Sequence, residues 1–163
     1  MRDIWIRQAR EDDAEAIGLL NDIAFGGPDE AKIITALQRG GDSLYSLIAH
    51  NDHELLGHIQ FFGIAVDGED VAAGLGPMSV VPARQKSGIG SGLVKFGLRL
   101  IEGSGRKLVF VLGHEAYYPR FGFSVDAARN FAAPWSGPAF MALRFGEDGM
   151  QGGKLTYPAA FGA

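Results

Sequence analysis

Between Val80 and Gly92 the chain reads Val80-Val81-Pro82-Ala83-Arg84-Gln85-Lys86-Ser87-Gly88-Ile89-Gly90-Ser91-Gly92, and this is the stretch whose residue types and spacing point most directly to chemistry. A loop that carries glycines into a helix N-terminus gathers unpaired backbone N–H groups at the positive end of the helix dipole. Such a place suits a phosphate or pyrophosphate. Glycines let the oxygens approach backbone that a Cβ would shield. Each charge–dipole contact contributes only ~0.3–1 kcal/mol, so several donors must converge. The same spacing would also serve a turn needed only for close helix–strand packing. The nucleoside-triphosphate loop G-x-x-x-x-G-K-[ST] is absent, because Lys86 precedes the glycines and no Lys directly follows them. The dinucleotide fingerprint G-x-G-x-x-G begins at Gly88 and Gly90 but meets Leu93 at its third glycine, with Glu115 placed to imitate the ribose-binding acid. Pro82 to Ser87 intervene where a dinucleotide loop turns at once, so dinucleotide binding is the weaker reading.

The rest of the chain must position that loop. Its 163 residues are read as one domain, 1–163, with 47% hydrophobic and 21% charged residues, ordinary values for a folded globular protein. Gly is 24 of 163, about twice the usual share of ~7%, with no collagen-like period, so the excess belongs to turns or to backbone close to a ligand. Cys is 0, which excludes a disulfide framework, a Cys nucleophile and a thiolate zinc site. The formal net charge of -4 argues against a nucleic-acid partner. The charged start Met1 to Arg10 is unlike a signal peptide, and no run is long and apolar enough for a membrane span. A soluble, cytoplasmic protein is expected.

Ile4 to Ile6 reads as a strand, followed by a helix from Asp12 with Ile17, Leu20 and Ile23 or Ala24 inward, ended by Gly26-Gly27-Pro28. A second helix is expected from Asp29 to Arg39 with Ile33, Ala36 and Leu37 inward. Leu44–Ala49 and Leu55–Ala65 read as a hairpin, and Val71–Val81 as a further strand beyond the turn Asp67-Gly68-Glu69-Asp70. Ser91 to Glu102 is the clearest helix, with Lys95, Arg99 and Glu102 outward; Lys107 to Leu112 follows as a strand buried on both faces. Val71 to Leu112 therefore makes a βαβ unit. Beyond it, a helical turn is expected over Ala116–Arg120, strands at Ala139–Phe145 and Leu155–Tyr157, and turns from Gly146 to Gly153.

Gln85-Lys86-Ser87-Gly88-Ile89-Gly90 matches Q/R-x-x-G-x-G/A and resembles the coenzyme A pyrophosphate loop of the GNAT superfamily of N-acetyltransferases. Met78-Ser79-Val80-Val81-Pro82 is similar to that superfamily's pantetheine strand, and His114-Glu115-Ala116-Tyr117-Tyr118-Pro119-Arg120-Phe121-Gly122-Phe123 to its tyrosine segment. The order of elements agrees over nearly the whole chain. The resemblance implies an α/β (α+β) GNAT fold: a mixed central sheet, flanked by helices, that splays where Val71–Val81 and Lys107–Leu112 part. It implies acetyl-CoA as cosubstrate without a metal, held by backbone from Gln85 to Gly90 (Gln85, Lys86, Ser87, Gly88, Ile89, Gly90), with Met78, Ser79 and Val80 beside the pantetheine. It also implies transfer of the acetyl group to a primary amine of a small molecule or protein, and homodimers as a common assembly.

Acyl transfer to an amine needs a neutral amine, a stabilised oxyanion and a tolerated thiolate. Tyr118 matches the general acid of many relatives, and an alkaline limb in the pH–rate profile would report its phenol; Tyr117 is its neighbouring rival. The glycine-loop strand carries no carboxylate past Val71, so His58 is the expected base, with His114, Glu115 or a water relay as alternatives. Glu11-Asp12-Asp13 reads as a helix start rather than a metal site, and Trp135 as a cover for the core rather than a pocket wall. The alternative from another class is a non-catalytic acyl-CoA sensor that kept the loop and lost the base.

Overall fold

In the computed structural model, residues 3–147 and 150–162 are described. Met1 and Arg2 of the charged start, and Asp148 and Gly149 of the expected Gly-rich turn, lie outside the described residues. β1 (Trp5–Gln8) runs into a helical turn in which Asp13 accepts from the Arg10 N–H at 2.7 Å and pairs with Arg7 at 2.8 Å. α1 (Ala14–Phe25) follows and stops at Gly26, whose φ of 74° ends the helix. Its sheet-facing stripe is Ile17, Leu20 and Asn21; of the two alternatives for the next inward position, the i, i+3/i+4, i+7 spacing continues through half-buried Ala24, and Ile23 is 66% exposed. α2 (Asp29–Arg39) has the expected ends but buries Ile34 and Leu37, leaving Ala36 outside.

β2 (Ser43–His50), β3 (Leu55–Val66) and β4 (Glu69–Val80) form an antiparallel meander. In the first turn Asn51 Oδ1 accepts from the His53 and Glu54 N–H groups, both at 2.8 Å. The second turn takes left-handed dihedrals at Asp67 (φ 49°) and Gly68 (φ 84°), as a two-residue hairpin requires. α3 (Ile89–Gly103) crosses the sheet and returns as β5 (Leu108–Leu112), parallel to β4. The tail contributes α4 (Val125–Ala128), β6 (Phe131–Ala132), β7 (Phe140–Arg144) and β8 (Gly153–Thr156). The short α4 and β6 are not foreshadowed by hydrophobic periodicity, which needs longer windows.

The sheet order is β1-β2-β3-β4-β5-β7, with β8 pairing β3 and β6. Leu93, Val94, Leu98 and Ile101 of α3 cover one face, against Phe61, Ile59 and Val109. Leu37 of α2 and the C-terminal segment cover the other, against Phe62, Ile64 and Phe110.

The feature that matters for a ligand is where β4 and β5 stop pairing. Their register runs from Ala72↔Leu108 to Leu75↔Val111 and goes no further, although β4 continues to Val80. On its other edge β4 bulges: Ile59 faces Met78 and Phe61 faces Leu75, so the extra residue falls at Gly76-Pro77. A bulge bends its strand, and Pro77 has no N–H to offer a neighbour. The lower end of the pair is pinned by Arg106, which donates to Asp70 at 2.8 and 3.1 Å and to the Ala72 carbonyl at 2.7 Å. The two strands are held at one end and parted at the other.

Candidate active site

The parted strands separate two cavities that share Met78 and His114. The first is a groove running over the glycine loop, lined by Val80, Arg84, Gln85, Lys86, Gly88 and Gly90 and walled by Tyr117 and Arg120. The second, about 340 Å³, lies on the α1–α2 side and includes Tyr118.

The groove is built from backbone. Lys86 (φ 65°) and Gly88 (φ 92°) both take left-handed dihedrals, which turns the chain into α3. The first helical hydrogen bond runs from the Gly92 N–H to the Gly88 carbonyl, so the N–H groups of Ile89, Gly90 and Ser91 are open at the helix start. A Cβ at Gly88 would meet nothing within 4 Å, and one at Gly90 would sit 3.4 Å from the Tyr117 hydroxyl and 3.5 Å from Met78, inside the groove. Arg84, Lys86 and Arg120 bring three cations to this wall of an otherwise acidic protein, and among the described residues no carboxylate lines it. Together these features suit a diphosphate.

Upstream, the Val81 N–H donates to the Leu56 carbonyl of β3 at 2.9 Å. Strand alternation then turns Ser79 toward β3 and leaves the N–H and C=O of Met78 and Val80 on the open edge. The Val80 carbonyl on that edge accepts from Gln85 Nε2 at 3.2 Å. An extended ligand lying along β4 thus finds the backbone of Met78 and Val80, whereas Ser79, buried at 4% exposure, lines neither cavity. Ile89 packs into the core beneath α3, and Ser87 Oγ donates back to the Arg84 carbonyl, closing the loop on itself.

The two tyrosines part company. The Tyr117 hydroxyl lies 3.0 Å from Ser91 Oγ at the start of α3, and the Arg120 guanidinium stacks 4.6 Å over its ring, so Tyr117 ties the tyrosine turn to the glycine loop. Tyr118 is buried and lines the second cavity next to Gly113 and Met78. Burial, together with the neighbouring Tyr117, pushes its phenol up to about 12. It stays protonated, so it can give up a proton but not act as a base.

His58 is placed elsewhere. Its register partners are Ile48 on β2 and Ser79 on β4, so it faces α1 and not the gap. It is fully buried, its Nε2 lies 2.9 Å from Ser46 Oγ, and burial pushes its imidazole down to about 4. The structure does not bring His58 to either cavity. His114, one of the alternatives, lines both, just beyond the tip of β5; Glu115 lines neither.

The second cavity contains residues that sequence reasoning passed over. Glu30 sits in the first turn of α2, and nothing in a linear pattern distinguishes a helix-start carboxylate that faces a cavity from one that faces solvent. Trp135, read as a cover, is both: its ring meets Tyr157 edge-on at 4.6 Å while forming a cavity wall. Among the described residues no three His, Asp or Glu side chains gather as a metal site, and no helix is long and apolar enough to cross a membrane.

Comparison with known proteins matches residues 5–125 to the acetyltransferase (GNAT) domain family. The chain is similar to the Escherichia coli K12 N-acetyltransferase YhbS, 31% identical over 155 residues that cover 91% of this chain and 93% of that protein. It is also similar to the N-acetyltransferase YjhQ of the same organism, 33% identical over 132 residues, 77% of this chain and 73% of that one. A crystal structure of a GNAT family acetyltransferase from Brucella melitensis in complex with acetyl-CoA superposes with a TM-score of 0.84 at 36% identity, covering 99% of both chains. The crystal structure of E. coli YhbS in complex with CoA gives a TM-score of 0.92 at 29% identity, covering 100% of this chain and 94% of that one.

Proposed function

This chain belongs to the GNAT acetyltransferase family, and on that premise we propose that it transfers the acetyl group of acetyl-CoA to a primary amine, acting in the cytoplasm. The observation that carries the reading is the meeting of two cavities at Met78 and His114, where β4 and β5 part: one is shaped for a diphosphate with an extended arm, the other is lined mainly by aromatic rings. A two-substrate transfer needs such a through-connection, with each reactant held on its own side of the reacting atoms.

Bound acetyl-CoA supplies an acyl group already activated as a thioester. The chain's own residues do the rest. The N–H groups of Ile89, Gly90 and Ser91, with Arg84, Lys86 and Arg120 around them, hold the pyrophosphate. Met78 and Val80 hold the pantetheine amides as an added strand would, which brings the thioester to the mouth of the gap. Tyr118 lines the cavity at that mouth and stands as proton donor to the departing sulfur; its raised phenol keeps the proton available at every working pH. His114, at the junction, takes the proton from the incoming amine in place of the buried His58. The glycine-loop strand needs no carboxylate if an imidazole serves from the facing strand tip.

The coenzyme half is tested by thermal unfolding with ligands. Coenzyme A or acetyl-CoA at a hundredfold excess over its Kd should stabilise the protein by about 2.7 kcal/mol, and NAD or ATP at the same concentration should leave Tm unchanged. Equal stabilisation by NAD would transfer the loop to the dinucleotide reading.

A further inference from the structure

We infer that the acceptor is a small primary amine carried on an aromatic or apolar body with no carboxylate or phosphate of its own; this rests on the acetyltransferase reading above. The acceptor cavity of about 340 Å³ is lined by seven aromatic rings drawn from segments far apart in the chain. Four of them form its far wall: Phe62 of β3 against Phe161 at 4.6 Å between centroids, and Trp135 against Tyr157 at 4.6 Å, with Tyr157 and Phe161 edge-on at 5.9 Å. This volume is near the lower limit for a small-molecule site, enough for one ring and a short arm.

The charge pattern narrows the class. Glu30 is, among the described residues, the one carboxylate that lines the cavity, and no Lys or Arg lines it. Among the described residues Glu30 has neither an ion-pair partner nor a side-chain hydrogen bond. A carboxylate among aromatic faces attracts an ammonium twice over, by direct charge and by the ring quadrupoles. An amino acid, an acidic peptide terminus or an amino-sugar phosphate would instead place an anion beside Glu30 with no cation to meet it. A polyhydroxylated amine would bring more hydroxyls than this lining can pair, since its polar groups are few beside the ring faces: Glu30, His114, the Tyr118 and Tyr157 hydroxyls and the Trp135 N–H. The amine enters as the ammonium attracted by Glu30, and it reaches the junction at His114 with its apolar body against Trp135 and Phe161.

The test is a steady-state panel with acetyl-CoA and four amines: phenethylamine, phenylalanine, spermidine and kanamycin, with coenzyme A affinity measured in parallel. The expected result is a kcat/KM for phenethylamine at least ~100-fold above that for phenylalanine, which differs by one carboxylate, and above those of the two polycations. Glu30→Gln should raise KM for phenethylamine about 10- to 100-fold, with kcat and coenzyme A affinity nearly unchanged. Trp135→Ala should raise KM for phenethylamine and leave that for ethylamine, which has no ring, where it was. Comparable or better turnover of phenylalanine, spermidine or kanamycin would overturn the acceptor class while leaving the acetyltransferase reading in place. Coenzyme binding with no turnover of any amine would overturn both.

Discussion

Tyr118 and His58 show how burial decides what a residue can do. A free phenol near 10 titrates within reach of an enzyme assay, whereas Tyr118 is pushed up to about 12. Its titration then lies beyond the working range, so the pH–rate profile should show no phenol limb below about pH 11. The alkaline limb expected to report this phenol is thereby moved upward from its ordinary place near 10. Tyr118→Phe should lower kcat on the order of 10²-fold with coenzyme affinity nearly intact, since Phe keeps the ring and loses only the donor. Wild-type turnover in that variant would remove Tyr118 from the mechanism. His58 carries a different consequence. Its imidazole titrates near 6.5 in the unfolded chain and about 4 in the folded one, so the unfolded state binds the proton first as pH falls. Stability is full above pH 6.5, is lost between 6.5 and 4, and the loss from this one group amounts to roughly 3 kcal/mol. Urea unfolding at pH 7 and pH 4.5 should show this drop in the wild type and a smaller one in His58→Gln. Turnover should stay within a few-fold of wild type, because His58 reaches neither cavity. A collapse of turnover in a folded His58→Gln would return the base to this position.

At the scale of elements, α3 and the strand before it form most of the groove proposed for the coenzyme, and glycines perform two separate tasks there. A Cβ at Gly97 would fall 2.1 Å from the Phe61 ring, so Gly97→Ala forces the helix off the sheet and should cost about 1–3 kcal/mol of stability. At Gly90 a Cβ would meet only ordinary contacts on the protein side, the nearest the Tyr117 hydroxyl at 3.4 Å, so Gly90→Ala should leave Tm close to wild type and the larger Gly90→Val should weaken coenzyme A binding at least ~10-fold. Unchanged affinity in a folded Gly90→Val would make the loop a packing turn. These elements were the legible part of the sequence. α2 is found from Asp29 to Arg39 as its caps announce, the βαβ unit lies where its apolar runs place it, and the Gly88–Gly90 pair opens α3. The bulge at Gly76-Pro77 was not legible in the expected strand Val71–Val81, because a register shift depends on the partner strand and not on the bulged one alone.

At the scale of the whole molecule, the second cavity was the part least legible in sequence. Phe62, Trp135 and Phe161 lie 99 residues apart from first to last, and no periodicity links them; only the return of β8 to β3 brings the C-terminal rings beside Phe62. The groove needs one loop and one strand, which a motif can hold, whereas the cavity needs the complete sheet. Both must work together for the account to stand, so the most direct measurement is thiol release from acetyl-CoA by the purified protein with and without phenethylamine, with the acylated product followed by mass spectrometry. The account predicts release that depends on the amine and is matched one to one by N-acetylated phenethylamine. Release that ignores the amine would contradict it and make the protein a thioester hydrolase, and coenzyme binding with no N-acetylated product from any amine tried would contradict it and leave an acyl-CoA-binding module in its place.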